Sequence, residues 1–203
     1  MKILSFGSNG MVGSSVSNIF STDKNYELIK SNRETNDLFD FKSTQKLIHK
    51  VKPNVIINSA ARVGGIYAND TNRFEFINEN LKINMNILES CIDNPKIKII
   101  NLGSSCIYPL NAENPLKEEY IMSGKLEPTN SPYAMAKLAA IEMGDSMVKQ
   151  FGHSVVNIMP TNLYGPNDNY SKEDSHVIPG LISRMHEAKT NKIDKFKIWG
   201  SGK

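Results

Sequence analysis

The residues with the clearest capacity for chemistry lie near the middle of the chain: Ser104-Ser105-Cys106, followed by Tyr133-Ala134-Met135-Ala136-Lys137. Tyr133 and Lys137 are four residues apart, so on a helix they share one face. An ammonium beside a phenol favours the phenolate and draws a tyrosine pKa down from about 10 toward neutrality. A serine hydroxyl nearby can hold a substrate carbonyl. Ser104, Tyr133 and Lys137 together would deliver a proton to a ketone as it is reduced. The plain alternative is an exposed helix carrying a Y-x-x-x-K by accident, and the motif alone does not choose.

The elements that must position these groups follow from the hydrophobic pattern. Short apolar runs at Ile3–Phe6, Tyr26–Lys30, Asn54–Asn58, Lys98–Leu102 and Val155–Met159 read as strands. Helical patterns alternate with them: Met11–Phe20, Ser43–Val51, Asn72 to about Asn94 (closed by Pro95), Ser131–Phe151 and Ile178–Ala188. Ser131 is the expected N-cap of the fourth pattern, with Pro132 at its first helical position. This alternation predicts an α/β fold, a Rossmann-type doubly wound parallel sheet. Ile107–Thr129 carries three prolines and reads as a long irregular loop, a kind of insert that is usually functional.

Gly7-Ser8-Asn9-Gly10-Met11-Val12-Gly13 follows the first strand and opens the first helix. Glycines there let the backbone turn tightly and approach a pyrophosphate at the helix N-terminus. The spacing is G-x-x-G-x-x-G; a merely flexible turn is the alternative. The second strand ends Ser31-Asn32-Arg33, with no acidic residue for ribose hydroxyls. Arg33 suits a 2′-phosphate, so NADP(H) is the expected cofactor, against a plain solvated arginine. Asp40 is a candidate for a contact near the adenine and equally a helix cap before Lys42.

Composition excludes several classes. The 203 residues are 39% hydrophobic and 22% charged, with a net charge of +3. Lysines are scattered without a basic block, so no nucleic-acid partner is expected. No apolar run approaches the roughly 20 residues that span a bilayer, so no membrane association is expected. The N-terminus runs straight into a strand pattern without signal-peptide features, and a cytoplasmic location is expected. The two cysteines and four histidines show no metal-ligand spacing, and Cys91 falls in an apolar helical pattern that reads as core.

Further segments carry a resemblance. Ala60–Ile66, Leu102–Pro109, Leu126–Asn130, Met159–Pro166 and Ser175–Pro179, together with the glycine loop and Tyr133–Lys137, resemble the GDP-L-fucose synthases, a branch of the extended short-chain dehydrogenase/reductases. The resemblance implies a two-part reaction on GDP-4-keto-6-deoxy-D-mannose. Carbons 3 and 5 are epimerised, then carbon 4 is reduced with NADPH to give GDP-L-fucose. It assigns Ser104, Tyr133 and Lys137 to reduction, and Cys106 with His176 to the epimerising acid/base pair. By residue type alone Cys106 reads as a small buried hydrophobe and His176 as a helix cap. Cofactor contacts are implied from Gly7 through Gly13, Ala60, Ala61, Leu102, Gly103, Ser104, Lys137, Pro160, Asn162, Leu163 and His176, besides Arg33 and Asp40. Arg184 and Trp199 match positions that contact the nucleotide-sugar. A homodimer is implied, and Leu81, Met85, Leu88 and Ile92 lie at helical spacing for its interface, although core packing serves equally well.

Two departures stand out. Asn9 occupies a position where the family usually has a basic residue, which removes one expected phosphate contact. The family also continues for roughly another third beyond Lys203. The expected organisation is a cofactor domain over 1–165 and a partial substrate region over 166–203, in a fragment or a natural short form. Another nucleotide-sugar epimerase or dehydratase, and a non-catalytic dinucleotide-binding module, are the alternatives.

Overall fold

The computed structural model describes residues 1–171, 174–196 and 198. The chain runs β1 (Lys2–Phe6), α1 (Met11–Ser21), β2 (Glu27–Ser31), α2 (Phe41–Val51), β3 (Val55–Asn58), α3 (Ile66–Thr71), α4 (Arg73–Glu89), β4 (Lys98–Leu102), α5 (Ser131–Phe151), β5 (Ser154–Ile158) and α6 (Val177–Thr190). Among the described residues the sheet has five strands in the order β2-β1-β3-β4-β5, all pairs parallel. The β-branched runs Val55-Ile56-Ile57 and Ile99-Ile100 suit strands buried on both faces.

Each face of the sheet is covered by helices, which makes it doubly wound. Leu4, Phe6, Ile56 and Ile99 pack with Ile48 of α2, Ile83 and Ile87 of α4 and Met147 of α5. On the other face Ile3, Val55 and Ile57 pack under Val16 and Phe20 of α1. Each such side chain contributes about 1.5–3 kcal/mol on full burial. Toward the β5 edge Val156 and Ile158 stay nearly half exposed, at 47% and 46%.

The seating of α5 decides where the catalytic candidates point. Ala136, Ala140 and Gly144 recur at four-residue spacing and are small enough to let the helix lie close on the sheet. A Cβ on Gly144 would sit 2.8 Å from Val155 Cγ1. Lys137 belongs to the same stripe, three residues before Ala140, and is therefore carried into the interior, 2% exposed.

Several boundaries differ from the sequence reading, each for a local reason. Ser131 is not the cap of α5: Asn130 holds that position, and the Ser131 hydroxyl instead accepts from Arg73 and donates to the Pro128 carbonyl. The long helix ends at Glu89, well before Pro95, because Ser90 and Cys91 turn the chain back on Asn86 and Leu88. It is preceded by the separate helix α3. Leu81, Met85, Leu88 and Ile92 do not form one outward face: Leu88 is core, Ile92 packs against the core, and Met85 is exposed. The loop after β4 contains 3-10 turns at Ser105–Ile107 and Glu118–Tyr120. Beyond residue 165, α6 is the one regular element among the described residues, and Trp199 lies outside them.

Asp40 caps α2, its carboxylate accepting from the Lys42 amide at 2.9 Å. Asp40→Ala is therefore expected to destabilise the chain by about 1 kcal/mol and leave dinucleotide affinity unchanged. Urea unfolding and a binding titration check this; weaker binding at unchanged stability would make Asp40 a ligand.

Candidate active site

The chain winds to opposite sides after β1, so a crevice opens beyond the carboxyl ends of β1 and β3. Open α/β sheets bind ligands at such a switch point. A cleft of about 500 Å3 lies there, bounded by Gly7 and Gly10 on one side, Ser59 and Ala60 on another, and the loop Ser31–Phe39. Gly7 has φ +71°, and a Cβ on it would meet the Ala60 backbone at 2.7 Å; a Cβ on Gly13 would collide with the Gly7 carbonyl. The α1 N-terminus is capped by no side chain and has no acidic residue in its first turn. Its free amides favour an anion.

The loop after β2 is ordered by Asn32, whose side chain accepts from the Glu34 and Thr35 amides at 3.0 and 3.1 Å. This turn presents Arg33, the one basic residue lining the cleft among the described residues; Glu34 and Asp37 line it too. The Asp37 carboxylate is engaged by the Phe39 amide. Arg33 makes no ion pair among the described residues. Ser31 Oγ and Asn36 Nδ2 are buried on the cleft wall without a hydrogen-bond partner. A glycine cradle, uncapped amides, an available guanidinium and two orphaned polar atoms fit the adenosine and phosphate end of a dinucleotide.

The remaining cofactor candidates divide. Gly7, Asn9, Gly10, Arg33, Ala60 and Ala61 line the cleft, whereas Asp40 does not. Met11, Val12 and Gly13 form the first turn of α1. Ser8 is buried, its hydroxyl spent on the Ser31 carbonyl. Leu102 and Gly103 end β4, and Pro160 accepts from the Ser105 amide. Asn162 and Leu163 follow, both exposed. Ser31, Asn36 and Ser59 were missed by sequence reasoning; short polar residues at or just past strand ends carry no signal of their own.

Ser104, Cys106, Tyr133 and Lys137 are brought together. Ser104 begins the 3-10 turn, its hydroxyl accepting from the Cys106 amide at 3.2 Å and hydrogen-bonding toward Tyr133. Lys137 Nζ donates to the Leu102 carbonyl at 2.6 Å and lies 5.7 Å from the Tyr133 ring centroid. The Tyr133 ring meets Phe76 edge-on at 6.4 Å, and Phe76 lies under the Arg62 guanidinium, which pairs with Glu79.

The electrostatics correct the sequence reading. Burial pushes the Tyr133 phenol up to about 12, a Cys106 thiolate adds to this, and the Ser104 hydrogen bond opposes it. Burial in turn pushes Lys137 down to about 8, so its amine has lost its charge before a phenol at about 12 titrates, and it does not offset the rise. Near neutral pH the phenol is a proton donor beside a lysine close to its own titration.

His176 is exposed at the N-cap of α6 and makes no side-chain cap bond. The segment before it is tied to the site: the Gly65 amide donates to the Asp174 carbonyl at 2.9 Å, and a Cβ on Gly64 would lie 3.2 Å from Phe76. Arg184 lies on α6 and donates to the Gly180 carbonyl. The entry to α5 is braced by Glu127, which accepts from the Thr129 and Asn130 amides, and by Arg73, which donates to the Pro128 carbonyl. Burial raises the Glu127 carboxyl, and hydrogen bonds from Thr129 and Asn130 with the Arg73 charge bring it net below its usual range.

Fold and site together define a Rossmann-like α/β protein of the dinucleotide-binding class. Residues 3–203 match the NAD dependent epimerase/dehydratase family, and the chain belongs to it. It is 43% identical over 196 residues to a GDP-L-fucose synthase of Sinorhizobium fredii, covering 97% of this chain and 62% of that protein. It is 36% identical over 203 residues to a GDP-L-colitose synthase of Yersinia pseudotuberculosis, covering 100% of this chain and 66% of that one. A GDP-L-fucose synthetase from Naegleria fowleri solved with NADP superimposes with a TM-score of 0.87 at 31% identity, covering 99% of this chain and 66% of the other. The chain spans less than two thirds of the length of the first of these relatives.

The buried ammonium makes a test of stability. Below pH 8 the folded chain holds a charge that the unfolded chain keeps in water. Between about 8 and 10.5 the folded amine is neutral while the unfolded one is still protonated, so stability rises with pH. Lys137→Met is expected to melt at a higher temperature than the parent at pH 7, with the gap narrowing through that window. A variant less stable than the parent at pH 7 would overturn the burial account.

Proposed function

We propose that this chain is the cofactor-binding and catalytic portion of an NADPH-dependent GDP-4-keto-6-deoxy-D-mannose 3,5-epimerase/4-reductase, whose product is GDP-L-fucose. The observation that carries this reading is the convergence of Ser104, Cys106, Tyr133 and Lys137 at the end of β4. The relatives named above support the nucleotide-sugar, and the glycine cradle with Arg33 supports a 2′-phosphorylated dinucleotide.

In this reading Cys106 and His176 remove and return the protons on carbons 3 and 5, which the neighbouring ketone acidifies. Ser104 and Tyr133 aim hydroxyl donors at the ketone oxygen, where the enolate charge develops. NADPH, when bound, supplies the hydride to carbon 4. Tyr133 then gives its proton to the carbon 4 oxygen, and Lys137, held on the Leu102 carbonyl, steadies the phenolate left behind. Arg184 and Trp199 hold the nucleotide-sugar. A second copy packs on α4 and α5, where Phe74 and Met135 are exposed.

Tyr133→Phe is expected to lower ketone reduction by at least about 10²-fold, as for loss of a general acid, while NADPH binding by fluorescence stays at the parent's level. Near-normal turnover would remove Tyr133 from the proton-donor role. Cys106→Ser separates the two halves of the chemistry, because a serine hydroxyl is far less acidic than a thiol. Exchange of the carbon 3 and carbon 5 protons with solvent deuterium, followed by NMR, is expected to slow sharply. Hydride transfer to a ketone that needs no epimerisation should persist. Exchange at the parent rate would leave a simple keto-sugar reductase.

A further inference from the structure

The row of the sheet just below the catalytic loops is built from amides where apolar side chains would be expected. Phe6, Asn58, Asn101 and Asn157 are aligned across β1, β3, β4 and β5. They follow Leu4, Ile56, Ile99 and Val155 by two residues, so they face the same core. Asn58 Nδ2 donates to Asn101 Oδ1 at 2.9 Å and to Asn84 Oδ1 of α4 at 3.1 Å. Asn101 Nδ2 donates to Asn157 Oδ1 at 3.3 Å. Asn58 Oδ1 accepts from the Ala60 amide, and Asn84 Nδ2 donates to the Asn80 carbonyl.

Buried amides are costly unless paired, and the buried Asn58 and Asn101 join the half-buried Asn157 in a paired ladder from the cofactor loop to β5. Apolar contacts alone would not distinguish strands that carry Ile-Ile-Asn, Ile-Ile-Asn and Val-Val-Asn if they slid by two residues. The ladder does, because a slid asparagine loses its partner. Just beyond it the Gly103 amide donates to the Ile158 carbonyl at 2.8 Å, and the Ser105 amide to the Pro160 carbonyl at 3.2 Å. These two bonds flank Ser104. Asn101 itself precedes Leu102, whose carbonyl holds Lys137.

We propose that Asn157 is a positioning residue: through Asn101 it clamps β5, the outermost strand among the described residues, to the end of β4 and so fixes Ser104 and the Leu102 carbonyl for the proton-delivery site. The inference deepens the reading under Proposed function and rests on it for its catalytic consequence.

The test compares Asn157→Leu, which loses the acceptor, with Asn157→Asp, which keeps an oxygen for Asn101 at a half-buried position. Amide hydrogen exchange by NMR is read at Gly103 and Ser105, with the β1–β2 amides as internal reference. In Asn157→Leu both amides should exchange about tenfold faster or more, the size expected for losing one hydrogen bond, with the reference amides unchanged. In the same variant kcat should fall by about as much, with KM for the GDP-linked 4-keto sugar and the Kd for NADPH unchanged. Asn157→Asp should restore both. If Asn157→Leu does not fold, Asn157→Ala carries the same comparison. A parent chain that reduces no such sugar refutes the functional reading, and the two amides still decide the clamp. Unchanged exchange at Gly103 and Ser105, acceleration shared equally by the reference amides, no restoration by Asp, or a kcat equal to that of an active parent overturns the proposal.

Discussion

A lysine ammonium buried against a single backbone carbonyl is the constraint on which the site depends. Lys137 is 2% exposed, and its ammonium donates to the Leu102 carbonyl. Removing that charge from water is unfavourable, and one neutral acceptor does not fully offset it. The lowered proton affinity of the amine records the imbalance. The arrangement holds because the small-residue stripe of α5 seats the helix on β4 and β5 without room for the side chain to escape. The strands supply the rigidity and the lysine draws on it.

The same burial acts in opposite directions on two neighbours. It raises the phenol of Tyr133 and lowers the amine of Lys137. Groups whose proton affinities are driven apart by their surroundings can serve as donor and reservoir at one pH. A polar, solvated version of the same Y-x-x-x-K would leave both near ordinary values. The helix face brings the pair into contact, and the core gives them their chemistry.

The cleft and the proton-delivery site are joined by the backbone that carries them. β1 delivers the glycine cradle, β3 the Ala60 loop, and β4 the Leu102 carbonyl and Ser104, all at one edge of a parallel sheet. A parallel sheet places every such loop on the same side, so elements distant in sequence meet there. The asparagine ladder ties three of the strand ends together, and the Arg62–Glu79 pair and Phe76 bind the Ala60 loop to α4 beside Tyr133.

The sequence by itself determined the alternation of strands and helices, the glycine turn opening α1, and the four-residue spacing that puts Tyr133 and Lys137 on one face. These are local matters of periodicity and turn chemistry, and they survived with element ends moved by a residue or two. The end of the long helix was misplaced because Ser90 and Cys91 turn the chain earlier than Pro95 requires. The sequence allows the Asp40 carboxylate two roles, since a cap and a ligand look alike until the helix start is known. The tertiary structure alone decided the proton affinities, because burial depends on what packs above a side chain. It also decided that Asn58, Asn101 and Asn157, spread over a hundred residues, form one ladder, because strand register is a property of the assembled sheet.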